Sequence, residues 1–149
     1  MSVAEEAGLH LTGLEQLRSI MARGVQEGIA RLMDFRLVEV AEGRARFEGT
    51  PSEAAYNPIG TVHGGYAATL LDSACGIAVH SKLAPGQSYA TLELKVAYHK
   101  AMTHKTGTVW AEGVVVSFGR RAAITEAKLT DAKGRLLASA TSSLLIISP

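Results

Sequence analysis

One stretch of the chain breaks the rhythm of the rest. From Tyr66 to Val79 apolar or small residues would occupy every face of a helix, and Asp72 is the single charge among them. A helix that is apolar all round belongs in a core. A carboxylate set into it is costly unless it is paired, hydrogen-bonded or used. The helix is expected over Gly64–Ser81. Elsewhere the patterns are conventional. Thr12-Gly13-Leu14-Glu15 has the form of a capping box, and Leu14, Leu17 and Met21, with Ile20 beside them, make a helical stripe that Gly24 is placed to end. Val25 to Met33 suits a second short helix or a turn. Phe35 and Leu37 alternate with Arg36 and Val38, Glu42-Gly43 turns the chain, and Ala45 and Phe47 alternate with Arg44, Arg46 and Glu48, which reads as a hairpin. Pro51 to Gly60 is a loop. After Ala84-Pro85-Gly86, four strand-like runs follow, roughly 88–99, 106–118, 121–131 and 135–147, with turns at Phe118-Gly119-Arg120 and Asp131-Ala132-Lys133-Gly134.

Sequential strands with short links favour antiparallel pairing. A single buried helix needs a sheet that curls around it on more than one side. The expected class is therefore α+β, one long central helix wrapped by a curved antiparallel sheet. At 149 residues the chain reads as one domain, a helical extension over residues 1–33 and a core over 34–149. A net charge of +1 gives no broad electrostatic footprint for nucleic acid or membrane. The apolar stretch near residues 64–79 is too short, and too rich in glycine and alanine, to suggest a membrane span. Met1 to His10 is mixed, with Glu5 and Glu6, and shows no signal-peptide pattern, so a cytoplasmic location is the default expectation. The single Cys75 cannot form an internal disulfide, and its place on the buried helix suits packing rather than a nucleophile.

Gly64 and Gly65 at the helix start let a ligand approach the backbone, and the free N–H groups there favour negative charge. The stretch thus offers a place for an oxyanion and a carboxylate kept from bulk water, two parts of an acyl-transfer site. Gly65 and Asp72 are seven residues apart, roughly 10 Å along the axis. They cannot both lie within about 3 Å of one carbonyl in one chain. If both serve one site, two helices lying antiparallel across a two-fold dimer bring Gly65 of one chain to Asp72 of the other. His80, His99 and His104 form no metal-ligand spacing, and no metal is expected. Arg120 and Arg121, at a turn, suit phosphate groups by the forked geometry of guanidinium, while Lys95, Lys100 and Lys105 read as surface charges.

The string Asn57-x-x-Gly60-x-x-His63-Gly64-Gly65, with Asp72 nine residues after His63, resembles the hotdog-fold acyl-CoA thioesterases of the phenylacetate-degradation type. Thr91-Leu92-Glu93-Leu94-Lys95-Val96 resembles that family's strand after the helix, and Gly119-Arg120-Arg121, Asp131 to Arg135 and Ala138 to Thr141 its later hairpins. The similarity spans roughly Phe35 to Ile147. It implies the hotdog fold and hydrolysis of an acyl-CoA thioester, without a cofactor beyond the coenzyme A of the substrate. It implies Asp72 as general base or nucleophile, Gly65 as the backbone donor to the thioester oxygen and Gly64 as the close turn. Asn57 would orient the carbonyl or hold the loop, His63 would contact the departing sulfur or brace the loop, and the Thr91 hydroxyl would help hold the water. Tyr66 would border the acyl tunnel. Homodimers, paired into tetramers, are implied as well. Tyr98-His99-Lys100-Ala101 departs from the family, which there carries an aromatic residue followed by Arg-Pro-Ala or similar. Two other functions stand beside hydrolysis: a hotdog protein that binds acyl groups without turnover, and a hotdog dehydratase of 3-hydroxyacyl thioesters. The acyl group is open among aryl-acetyl, medium-chain and hydroxybenzoyl.

Overall fold

The Thr12 hydroxyl accepts from the Glu15 N–H while the Glu15 carboxylate accepts from the Thr12 N–H, and this reciprocal cap opens the first helix, α1 (Gly13–Arg23). Gly24 closes it in the left-handed region, at φ 64°. The computed structural model describes residues 8–24 and 26–149. Val25, where the second helix or turn was expected to begin, lies outside the described residues, as do Met1 to Ala7. α2 (Gly28–Leu32) follows, and then the hairpin of β1 (Phe35–Ala41) and β2 (Arg44–Gly49), with Phe35 opposite Gly49 and Ala41 opposite Arg44. The loop after Pro51 holds one 3-10 turn, Glu53–Ala55, and a bridge between Tyr56 and Val62. α3 (Gly64–His80) is the expected central helix, ended by Ser81 as its cap.

β3 (Ser88–Tyr98), β4 (Val109–Phe118), β5 (Ala122–Asp131) and β6 (Leu136–Ile147) complete the chain. β4 begins three residues later than its pattern suggested. Thr103 to Thr106 form a turn, closed by the Thr106 N–H on the Thr103 carbonyl, and Gly107 leaves it at φ 76°. The strands lie in the order β1-β2-β4-β5-β6-β3, and every neighbouring pair is antiparallel.

This sheet curls around α3, which touches all six strands. Leu70, Leu71, Ala74 and Cys75 of the helix meet Phe35, Phe47, Val109, Ala111, Leu129 and Leu137 of the sheet and its edges in one core. The alternation along β5 sends Ala123, Thr125, Ala127 and Leu129 inward and leaves Ile124, Glu126 and Lys128 outside. A side chain at Gly113 would run into the Ala74 carbonyl, so helix and sheet meet backbone to backbone there. Cys75 is fully buried, and burial pushes its thiol up to about 11, which suits packing and not reactivity. One helix wrapped by an antiparallel sheet is the hotdog arrangement that the resemblance implies. Among the described residues no helix is long and apolar enough to cross a membrane.

The helix is not sealed on every face, as its composition suggested. Gly65, Ala68, Thr69, Asp72 and Ser73 are only half-buried, and this open side runs along β3, the last strand of the sheet. Tyr98 meets Gly64 near one end of β3, Thr91 meets Asp72, and Tyr89 lies against Gly76. β3 has no strand on its outer side, and most of its residues are exposed.

Candidate active site

Asp72 sits on the open side of α3, half-buried rather than withdrawn from water. Its Oδ1 accepts from the Thr91 hydroxyl at 3.0 Å. Its Oδ2 has no hydrogen-bond or ion-pair partner among the described residues. The neighbouring hydroxyls on the helix bond elsewhere: Ser73 donates to the Thr69 carbonyl and Thr69 to the Gly65 carbonyl, at 2.7 and 2.8 Å. A bulge in β3 delivers Thr91 to the carboxylate. Thr91 pairs with Leu144 and Glu93 with Ser143, so Leu92 is the extra residue, and its side chain is exposed. Bulges of this kind re-aim side chains at a sheet edge.

The start of α3 is the second part of the site, and its entry loop is tied from several directions. The His63 N–H donates to the Ala55 carbonyl at 2.7 Å and the Val62 N–H to the Met102 carbonyl at 2.9 Å. Asn57 is wholly engaged in its own loop: Oδ1 accepts from the Ile59 and Thr61 N–H groups, and Nδ2 donates to the Thr61 hydroxyl at 3.0 Å. The loop-holding role is the one its contacts serve. His63 is the N-cap of α3. Its Nδ1 accepts from the Gly65 N–H at 2.7 Å, which places the proton of a neutral ring on Nε2. The Gly64 N–H has no partner among the described residues. The first turn therefore presents one open donor and one capped by an exposed imidazole. The Tyr98 hydroxyl donates to the Gly64 carbonyl at 2.8 Å, tying the far end of β3 to the glycine turn. In the sequence that tyrosine stood out only as the aromatic residue before His99-Lys100-Ala101, where the chain departs from the family pattern.

His63, Gly65 and Tyr66 form one side of a cavity of about 530 Å³; Leu32, Met33, Asp34, Ser52, Ala54 and Ala55 form the other. A cavity of similar size, about 550 Å³, lies beneath α1 among Leu17, Ile20, Leu37, Phe47 and Ile77, and it contains none of the expected site residues. The smaller one is the relevant space, because only it reaches the glycine turn. Asp72 does not line it. Within one chain, then, the structure brings His63, Gly64, Gly65 and Tyr66 together and Asp72 with Thr91, but keeps these two groups apart. Arg120 and Arg121 are exposed at the β4–β5 turn, without a side-chain partner among the described residues. The next residue, Ala122, pairs with Leu145, and Leu145 pairs with Ala90, the neighbour of Thr91. The arginines thus belong to the Asp72 end of the sheet.

The structure thus presents a helix start with one open and one capped donor, and, apart from it, a carboxylate held by one hydroxyl. The comparisons with known proteins give it a family. This chain belongs to the thioesterase superfamily, whose model matches residues 59–138, and it is accordingly a thioester hydrolase. A 1,4-dihydroxy-2-naphthoyl-CoA hydrolase of Listeria monocytogenes is 27% identical over 110 residues, covering 74% of this chain and 88% of its own length. A crystal structure of a thioesterase family protein from Silicibacter pomeroyi, 24% identical, superposes with a TM-score of 0.78 over 89% of this chain and 96% of that one. That of a Streptococcus mutans protein bound to acetyl-CoA, 25% identical, has a TM-score of 0.70 over 77% and 90%.

Proposed function

We propose that the protein hydrolyses an acyl-CoA thioester to a carboxylate and free coenzyme A, in a site shared between two copies of the chain. The observation that carries this reading is the half-open Asp72 carboxylate, with one oxygen fixed by Thr91 and the other free on the side of the helix that faces the unpaired edge strand. The Listeria relative's name specifies a CoA thioester, and the Streptococcus mutans protein holds acetyl-CoA. Asp72 Oδ2 takes a proton from water as the water oxygen attacks the thioester carbon. The carbonyl oxygen becomes an oxyanion beside the first N–H groups of α3, Gly65 above all, where the helix dipole favours charge. The carbon–sulfur bond then breaks, and the proton held by Asp72 passes to the departing sulfur. Direct attack by Asp72, through a mixed anhydride that water then opens, uses the same groups.

The shared site follows from distance. Gly65 and Asp72 lie roughly 10 Å apart along α3. The side of α3 on which Gly65 and Asp72 lie is made of small and polar residues, and β3 is an eleven-residue edge whose backbone awaits a neighbour. A second copy packed there with its helix antiparallel joins each Gly65 to the other chain's Asp72. The dimer is then the smallest active unit, with a dimer of dimers as the larger assembly.

Arg120 and Arg121 would receive the phosphates of coenzyme A. Replacing both by alanine should raise the KM for an acyl-CoA about tenfold, and leave that for the matching acyl-pantetheine, which lacks the nucleotide, where it was. Equal effects on the two esters would return the arginines to plain surface charges. The function itself is tested by thiol release from a panel of acyl-CoA esters. Release of coenzyme A from at least one ester is expected. An enoyl product from a 3-hydroxyacyl ester would mark a dehydratase instead, and binding without release a carrier.

A further inference from the structure

Tyr98 ends β3, and its side chain crosses from that edge strand to the start of α3. The backbone beneath it is anchored: Tyr98 pairs with Ala138, and the His99 and Lys100 N–H groups both donate to the Leu137 carbonyl. The ring lies directly on Gly64. A Cβ there would stand 3.0 Å from both Cζ and the hydroxyl oxygen, so glycine is what lets the tyrosine come so close. From this position the hydroxyl donates to the Gly64 carbonyl at 2.8 Å.

That carbonyl is the other end of the peptide unit that carries the Gly65 N–H. A peptide unit is planar and stiff, so whatever fixes its C=O also fixes the direction of its N–H. The two ends are gripped from different elements, the N–H by His63 Nδ1 at 2.7 Å and the C=O by Tyr98 of β3. Two glycines in succession give this turn little restraint of their own, and the external grip matters accordingly. A donor on the carbonyl also polarises the unit and makes its N–H a stronger donor, because linked hydrogen bonds reinforce one another. The gain is largest when the acceptor carries charge. The same strand serves the other half of the site, where Thr91 holds the Asp72 carboxylate.

We infer that Tyr98 is a positioning residue for the reaction: by holding the Gly64 carbonyl, its hydroxyl aims and strengthens the Gly65 N–H that receives the oxyanion. The inference rests on the thioesterase reading for the step it serves, while the tie itself stands on the geometry of the turn. Tyr98 touches neither water nor the thioester in this role, and its effect is confined to the state in which the carbonyl oxygen is charged. A plain brace between β3 and α3 would instead act on substrate binding and turnover alike.

Tyr98→Phe keeps the ring and removes only the donor, and because the side chain is 57% exposed the variant should fold as the parent does. Gly64-Gly65 is the one Gly-Gly pair in the sequence. Glycine labelled isotopically at its carbonyl carbon and amide nitrogen therefore gives one directly bonded pair of labels, the Gly64 carbonyl with the Gly65 nitrogen. Both NMR resonances should move upfield in Tyr98→Phe, as the carbonyl loses its donor. On the acyl-CoA that the parent hydrolyses fastest, kcat should fall about fivefold, the worth of one neutral hydrogen bond. KM should stay within about twofold, and so should the Kd of the thioether analogue, which has no carbonyl oxygen and is measured by calorimetry. Unmoved resonances would overturn the inference, and so would an unchanged kcat in a variant whose resonances have moved. A thioether affinity that falls as far as kcat would make Tyr98 a brace and overturn it as well. If the parent releases thiol from no ester, the hydrolytic reading fails separately. The labelled pair then still decides whether Tyr98 governs the donor: moved resonances support that, and unmoved ones refute it.

Discussion

Asp72→Asn lowers the turnover number by about 10² or more, equivalent to about 2.7 kcal/mol of lost transition-state stabilisation, while the protein stays folded. Asparagine keeps the shape of the side chain and an oxygen to accept from the Thr91 hydroxyl, so the tie between α3 and β3 survives. What it removes is the free carboxylate oxygen, the only group on that face of the helix that can take a proton from water or attack the carbonyl. Steady-state thiol release, beside circular dichroism of the variant, is the measurement. A variant that hydrolyses every tested ester at the parent's rate would end the assignment of Asp72, whatever else the site does.

Two inactive variants regain activity when mixed. Gly65→Pro removes the helix-start donor, and Asp72→Asn removes the base. In a two-fold dimer with shared sites, the heterodimer of these chains has one site with both defects and one with neither. Each heterodimer then carries about half of the parent dimer's activity, and random pairing of equal amounts returns about a quarter overall. If each site belonged to one chain, every site in the mixture would keep a defect and nothing would return. The experiment needs Gly65→Pro to fold. Proline is tolerated in the first turn of a helix, where the N–H makes no bond within the helix, and circular dichroism of that chain alone checks it. Refolding the two chains together and assaying thiol release against each variant refolded alone decides between the arrangements.

Much of the architecture was legible because it depends on periodicities and caps that act locally. The Thr12–Glu15 capping box and the Gly24 terminator are decided within one turn of helix, and both form as read. The hairpin of β1 and β2 follows from alternation and a glycine turn. The central helix is recognisable by its apolar length, and its start at Gly64 agrees with the pattern. Thr91 and Asp72 were named separately, and the structure joins them. The rest depends on tertiary placement. Composition could not show that one side of α3 would stay half-open, because that depends on β3 being the last strand in the sheet. The bulge at Leu92 has no marker: leucine is an ordinary strand residue, and the extra position exists only relative to β6. Asp34 adopts a left-handed backbone that aspartate tolerates in many turns, so its residue type announced nothing. The unpaired Tyr66 hydroxyl is invisible in sequence, since every tyrosine has a hydroxyl and only packing decides whether it finds a partner. Asn57 shows the converse. Its type suited either a ligand or a loop, and all three of its side-chain hydrogen bonds lie within the loop.

His63 gives the resting site an internal rival for the substrate. Its ring nitrogen accepts from the Gly65 N–H, so that donor is already satisfied within the chain. In the proposed mechanism an incoming thioester must displace that nitrogen, exchanging one neutral acceptor for another of similar strength. The exchange yields little while the carbonyl is uncharged. Once the oxygen becomes an anion, the same N–H prefers it strongly, since hydrogen bonds to charged acceptors are roughly twice as strong as those between neutral groups. Competition from the protein's own imidazole would thus subtract from ground-state binding and leave the transition state its advantage, so that discrimination in favour of the reacting form is set by what the enzyme does to itself when nothing is bound.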